Sequence, residues 1–345
     1  MSVDKIAVVI LNYNGRNFLE KFLPSVITYT ETAAVYVADS ASTDGSVSWT
    51  EQHFPSVKTI LLPGNYGYAG GYNRALQTID AEYYVLLNSD VEVTSQWLAP
   101  LIELLDRNPK IAACQPKLLA YHNKTQFEYA GGAGGYIDWL GYAYCRGRIF
   151  DHTETDRGQY NTAAPIFWAS GAAMVIRSQL FHKMGGFDED FFAHMEEIDL
   201  CWRLHWAGYE VYCCPQSIVY HVGGGTLPPS NPFKTYLNYR NSLAMLYKNL
   251  PPSRVGFILF LRLVLDGVSS VRYLPKGQWQ DIWAIIKAHF AFYGWILGAL
   301  PKKRRHIQQE IVQVKSHESL PISSKSIIWA YFVKGCKTFD SFSRL

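Results

Sequence analysis

The chain has no CxxC pair, no long unbroken apolar run and few charges. Its six cysteines (Cys114, Cys145, Cys201, Cys213, Cys214, Cys336) are spread over 345 residues. That density is too low for a disulfide scaffold and the spacing is wrong for zinc. The adjacent pair Cys213–Cys214, in the run YEVYCCP, reads as two small core residues. The longest uncharged stretch of the C-terminal part, 288–301, holds fourteen residues including His289, whereas a spanning helix needs ~20 apolar ones. The six apolar residues Ile6 to Leu11, after Asp4 and Lys5, are too short for a signal-peptide core. A cytoplasmic address is expected. There is no GxSxG, which removes the esterase elbow. The turn after the first apolar run reads NYNGRN and not GxGxxG, which argues against a dinucleotide-dependent oxidoreductase. Charged residues make up 18% of the chain, against a usual ~25%.

What is abundant is apolar and aromatic side chain, 48% and 15%, enough for a sizeable core and incompatible with a disordered chain. The net charge of +3 hides a division. Residues 1–230 carry 15 Lys+Arg against 24 Asp+Glu, net −9, and residues 231–345 carry 17 against 5, net +12. The Gly/Pro segment GGGTLPPSNP (223–232) separates them. A domain at 1–230 and a basic extension at 231–345 follow, the extension facing something anionic.

Within 1–230, strand and helix signals alternate. IAVVIL (6–11), AVYVA (34–38), 57–62 and YYVLL (83–87) read as strands, the first buried on both faces. Helical spacing lies between them, so the fold class is α/β with a mostly parallel, doubly wound sheet. Residues 121–165, rich in Gly and Tyr, read as loops and hairpins.

In such sheets ligands bind beyond the carboxyl ends of the strands. Polar residues stand at each end: Asn12 and Asn14, Asp39 and Ser40, Asn65, then Asn88, Ser89 and Asp90. Any one of them could simply cap a helix; four clusters on one edge suggest a site. Asp90, after YYVLL, can offer a carboxylate to a hard divalent cation that bridges phosphates. NYGYAGGYNR (65–74) brings small residues to a helix start, where backbone N–H groups can meet an anion. Glu196, Asp199 and Arg203 share one helical face and Glu197 opens the helix. Apolar neighbours there would raise a carboxyl pKa and suit a general base, although the same carboxylates could serve a glycosidase pair. His221 ends a strand before Gly223, Gly224 and Gly225, a place for a metal or phosphate ligand.

In this order the blocks VVILNYNG (8–15), VADSASTDGS (37–46), NYGYAGGYNRAL (65–76), YYVLLNSDVEV (83–93), 170–192, EEIDLCWR (196–203) and HVGGG (221–225) resemble the inverting family-2 glycosyltransferases with the GT-A fold. Within them the rhamnosyl- and galactofuranosyl-type enzymes of bacterial surface polysaccharides look nearest. The resemblance covers roughly residues 5–245. It implies that Asp39 and the Leu11–Asn12 backbone contact the nucleotide and that Gly70 and Asn73 lie against the nucleotide sugar. Asn65 and Ser89 join them as donor-binding candidates. Asp90, last position of the DxD motif, and His221 would hold Mg²⁺ or Mn²⁺ on the diphosphate. Glu197 falls where the family's catalytic Asp sits in its Glu-Asp pair. Asn88 replaces the first Asp of DxD, Ser40 the usual Asn after Asp39, and Glu197 is one methylene longer than Asp, so Glu196 stays a candidate. The implied acceptor is a glycan or polyprenyl-linked hydroxyl. A sugar-binding protein on a transferase fold, or a glycosidase, is the alternative.

In the basic extension Trp279, Ile282, Trp283, Ile286, Phe290, Tyr293 and Leu297 recur at helical spacing, closed by Lys302 to Arg305. This stripe suits either packing on the catalytic part or an anionic membrane surface, peripherally. Nucleic acid is excluded as a partner because the aromatics follow the apolar face and do not interleave with the cations.

Overall fold

A computed structural model describes residues 4–223, 231–314 and 317–345. The glycines Gly224 and Gly225 and most of the Gly/Pro segment lie outside the described residues. The alternating signals of the first half become β1 (Asp4–Asn12), α1 (Arg16–Tyr29), β2 (Ala34–Asp39), α2 (Ser46–His53), β3 (Lys58–Leu61), α3 (Gly67–Leu76) and β4 (Ala81–Asn88). There follow β5 (Val91–Val93), α4 (Ala99–Arg107) and β6 (Ile111–Ala120). The region read as loops and hairpins holds the short strands β7 (Asn123–Phe127), β8 (Gly135–Ile137), β9 (Ala143–Cys145), β10 (Arg148–Ile149), β11 (His152–Thr153) and β12 (Ala164–Ile166). Then come β13 (Ala173–Arg177), α5 (Ser178–Lys183), α6 (Glu196–Trp206) and β14 (Glu210–His221), and α7 (Pro232–Asn249), α8 (Pro252–Ser270), α9 (Trp279–Leu297) and α10 (Leu300–His306).

The main sheet runs β12-β14-β6-β13-β4-β1-β2-β3. Its β4-β1-β2-β3 half is parallel, as is β14 with β6. β13 lies antiparallel between β4 and β6, and β5, β7 and β12 are antiparallel additions. The run 6–11 is buried on both faces as its composition requires: Ala7 and Val9 point into one core, Val8 and Ile10 into the other. The second core holds Leu19 and Leu23 of α1 and Leu101 and Leu105 of α4. The first holds Tyr72 of α3, Leu200 and Leu204 of α6, and Leu243 and Leu246 of α7.

The change of charge at residue 230 is not a break in packing. α7, in the basic part, is a core helix, and Lys248 on it reaches Asp188 at 2.6 Å and Asp199 at 3.0 Å. Lys303 of α10 also pairs with Asp188, and with Asp190 at 2.6 Å. Both lysines hold the Asp188 carboxyl well below the usual carboxylate range, against the opposing effect of its burial. Part of the excess positive charge of the extension thus answers the excess negative charge of the sheet domain. Beyond α10, Ile327, Ala330 and Phe342 pack against Tyr144 and Ile149 of the small β8–β11 sheet.

Candidate active site

Register puts the polar strand ends level: Asn12 lies opposite Asp39, and Leu11 opposite Asn88. The Asn12 amide is fully buried and donates to Asp39 Oδ1 and Ser46 Oγ, both at 2.9 Å. Asp39 Oδ2 in turn accepts the Ser42 N–H at 2.8 Å. Asn12 Oδ1 is buried without a partner. A Cβ on Gly15 would stand 2.5 Å from that oxygen and 3.5 Å from Ser89 Oγ, so Gly15 keeps open a small polar recess shared by Asn12 and Ser89.

Asn65 Oδ1 accepts the Gly67 N–H at 2.9 Å and so fixes the entry of α3. Gly70 is closely packed, since a Cβ there would lie 2.9 Å from that of Tyr66. Asn73 is bonded within the protein. Its amide donates to the Phe187 carbonyl at 2.9 Å and to Glu189 at 3.2 Å, and accepts the Phe187 N–H at 2.9 Å. Both ends of the amide are used to tie α3 to the segment that leads into α6.

Asp90 and His221 meet at the ends of β4 and β14. His221 Nε2 is hydrogen-bonded to Asp90 Oδ1 at 3.1 Å, and Nδ1 faces Glu128 Oε1 at 3.3 Å, out of line for a hydrogen bond. Burial would lower the imidazole pKa, but Glu128 and Asp90 overcome it and push it up to about 10. Asp90 is lowered by the same partner despite its own burial. Among the described residues no three His, Cys, Asp or Glu side chains are arranged to hold a metal ion. The Asp90 carboxylate fits a cation that keeps water and takes its other ligands from substrate phosphates, and His221 would join it only after giving up its proton and its ion pair with Asp90. Cys114, Cys145, Cys201, Cys213, Cys214 and Cys336 are free thiols and all buried.

The two glutamates are the first residues of α6. The backbone before them is strained: Phe192, His194 and Met195 have φ of 64°, 70° and 74°, the left-handed region that non-glycine residues avoid. Two side chains of α7, in the basic part, hold this turn, with Arg240 donating to the Asp190 and Phe191 carbonyls at 3.0 and 3.2 Å. Asn241 Nδ2 of α7 lies 2.9 Å from the Phe191 and Ala193 carbonyls and 2.8 Å from that of His194. The Asn249 amide donates to Asp199 Oδ1 at 2.8 Å and Arg203 to Asp199 Oδ2 at 3.0 Å, so Asp199 and Arg203 are internal supports of α6.

Glu196 is closed off from solvent and Glu197 half-buried, and each has an oxygen without a partner. Burial pushes the Glu197 carboxyl up to about 7; burial and the neighbouring Glu197 raise Glu196 further. Two adjacent carboxyls titrate as a pair, and both are raised by burial. Tyr68 of α3, whose hydroxyl donates to the Gly171 carbonyl at 2.7 Å, feels both carboxylates, which places the pair on the α3 side of the sheet edge.

Glu128, Asn241 and Tyr68 were not singled out by sequence reasoning. Glu128 stands in the Gly-rich loop region, and only its place in EYAGG hinted at a constrained turn; Asn241 lies inside a helical stretch with no local signal. Substituting Asn241 with Ala leaves three carbonyls without their shared donor, about 1–3 kcal/mol at a buried site. A lowered Tm together with a fall in kcat is expected, and an unchanged kcat would show that the turn does not position Glu197.

Residues 7–185 match the family described as Glycosyl transferase family 2. The chain is 28% identical over 241 residues to the N-acetylglucosaminyl-diphospho-decaprenol L-rhamnosyltransferase of Mycobacterium tuberculosis, covering 65% of this chain and 78% of that protein. Among solved structures it resembles GalNAc-T7 with UDP, GalNAc and Mn²⁺, at TM-score 0.56 and 17% identity, over 72% of this chain and 48% of that one. It also resembles the mannosyltransferase PcManGT of Pyrobaculum calidifontis with GDP-Man and Mn²⁺, at TM-score 0.50 and 16% identity, over 87% and 77%. These likenesses confirm the expected GT-A fold.

Proposed function

Since the chain belongs to glycosyl transferase family 2, we propose that it transfers a sugar, with inversion, from a nucleotide-diphosphate donor to a lipid-linked glycan hydroxyl in cell-surface polysaccharide synthesis. The observation that carries the mechanism is Glu197: a half-buried residue whose carboxyl has a buried, unpartnered oxygen and a pKa raised to about 7, beside a fully buried Glu196. In its ionised form it takes the acceptor proton as the hydroxyl oxygen attacks the anomeric carbon and the bond to the diphosphate breaks. Burial and the neighbouring Glu197 both disfavour a second negative charge on Glu196 beside the base. Asn12 and Asp39 face the nucleotide, with Ser89 and Asn65 at the rim, while Asn73 and Gly70 hold α3 in place beneath it. Asp90 and His221 would hold Mg²⁺ or Mn²⁺, which stabilises the negative charge of the departing diphosphate. Sugar transfer then needs no general acid from the chain.

The decaprenol-linked acceptor named in the mycobacterial relative supports a polyprenyl-linked acceptor and a deoxyhexosyl donor, and with it work on the cytoplasmic membrane face. A thermal-shift screen of nucleotide sugars with Mn²⁺ checks the reading, because a bound donor raises Tm. Expected is a Tm rise with one nucleotide sugar that disappears on chelation, together with transfer to a polyprenyl-diphosphate acceptor. Release of free sugar from a glycan without nucleotide would make it a glycosidase instead.

A further inference from the structure

α8 and α9 are built inside out. On α8 the residues turned inward are Ile258, Arg262 and Asp266, at four-residue spacing, while Phe257 and Phe260 on its other side are each 63% exposed. Arg262 donates to the Leu140 carbonyl and the Ser242 hydroxyl, both at 3.0 Å, and Asp266 meets His289 of α9 at 3.3 Å. α9 buries one charge, Asp281, beside the apolar Ala284, Ile285, Ala288 and Phe292. Asp281 is buried and accepts from Thr235 at 2.6 Å, whereas Trp279, Phe290 and Leu297 are 65%, 71% and 90% exposed. The apolar stripe expected to face either the protein or a membrane therefore faces outward. A helix in water turns its apolar stripe to the core; two helices in succession that bury charged residues while leaving large apolar and aromatic residues exposed present a surface fit for an apolar medium.

The geometry describes a surface that lies on the medium and does not cross it. No single helix among the described residues is long and apolar enough to span a membrane, and α9 is bent by 63° from the segment Leu300–Ile311 that follows it. The inner faces stay hydrogen-bonded to the body of the enzyme. Charge selects the occupant. Lys287, Lys302 and Arg305 are exposed beside the stripe, and residues 231–345 carry net +12. A second copy would set like charge against like, while an anionic lipid headgroup layer complements it.

We propose that the outward faces of α8 and α9 dock the enzyme on an anionic lipid bilayer, with Phe257, Phe260, Trp279, Trp283 and Phe290 entering the interface and the cations meeting the headgroups. The docking rests on the reading above only for its purpose, which is to hold the site where a lipid-linked acceptor lies. The test uses the full chain and flotation with phosphatidylcholine vesicles, with and without about one-third phosphatidylglycerol. Expected is binding to the anionic vesicles that weakens with salt, and a partition coefficient at least about tenfold lower for the doubly substituted Phe260→Glu, Phe290→Glu chain. These two residues are exposed, so the variant should keep the donor-induced Tm rise, which shows it folded. Absence of wild-type binding to the anionic vesicles overturns the docking, as does equal binding by the variant. So does a wild-type dimer in sedimentation that the variant dissolves while neither binds vesicles. Vesicle binding without any sugar transfer would leave the docking standing and sink the transferase reading; transfer to a water-soluble acceptor without vesicle binding would do the reverse.

Discussion

Glu197→Gln is expected to lower kcat for sugar transfer by about 10²–10⁴-fold, the range that a positioned general base contributes, while the donor-induced Tm rise stays as in the wild type. The amide is close to the carboxylate in shape and cannot accept a proton. If Glu196→Gln alone produces this loss, the base is misassigned. The pH profile gives a second readout. With Glu197 raised to about 7, kcat/KM should climb as pH rises through about 7 and level off above it, and the rise should disappear in Glu197→Gln. Stability moves the other way. A carboxyl whose folded pKa lies above its unfolded value binds more protons when folded. The contribution of its protonated form is complete below the ordinary carboxylate pKa and is lost as pH rises through about 7. Wild-type Tm should therefore fall across the window in which activity grows, and Glu197→Gln should flatten that fall. A profile with no rise near pH 7 would show that the turn before α6 does not keep this carboxyl desolvated in the working enzyme.

The local parts of this site were legible because they are local. A six-residue apolar run has to be a strand buried on both faces, and Asp90 and His221 could be read as strand ends from the composition on either side. Glu196, Asp199 and Arg203, placed on one helical face by their spacing, all lie in α6. The contacts that give these residues their chemistry come from far along the chain. Glu128 lies 93 positions from His221, and Asn241 nearly fifty from the carbonyls that it gathers. No periodicity carries such a pairing. The orientation of α8 and α9 was hidden for another reason. Spacing identifies an apolar stripe, but which side meets the protein depends on what the opposite side can bond, and Arg262, Asp266 and Asp281 found partners inside. The charge division was read as a mark of an outside partner. In the fold it does two things, since Lys248 and Lys303 answer Asp188, Asp190 and Asp199 within the molecule, leaving Lys287, Lys302 and Arg305 on the outside.

Asp90→Ala is expected to lower transfer by at least about 10³-fold, since metal stabilisation of a leaving oxyanion amounts to several kcal/mol and each 1.36 kcal/mol is tenfold in rate. Donor hydrolysis should be lost with it, because both reactions expel the same diphosphate. The substitution removes the Asp90 contact of His221, leaving Glu128 at 3.3 Å and Asn88 at 3.5 Å, so part of any Tm change belongs to that broken contact and not to the cation. His221→Ala separates the two. It removes the same contact but keeps the Asp90 carboxylate, and should retain weakened, Mn²⁺-dependent donor binding where Asp90→Ala retains none. Since Asn88 replaces the other acid of the motif, the chain has no second carboxylate at the strand end to compensate. Transfer by Asp90→Ala that still responds to added Mn²⁺ would show that the cation is held elsewhere. Glu128 would be the first residue to substitute next, since it is the other acid in contact with His221.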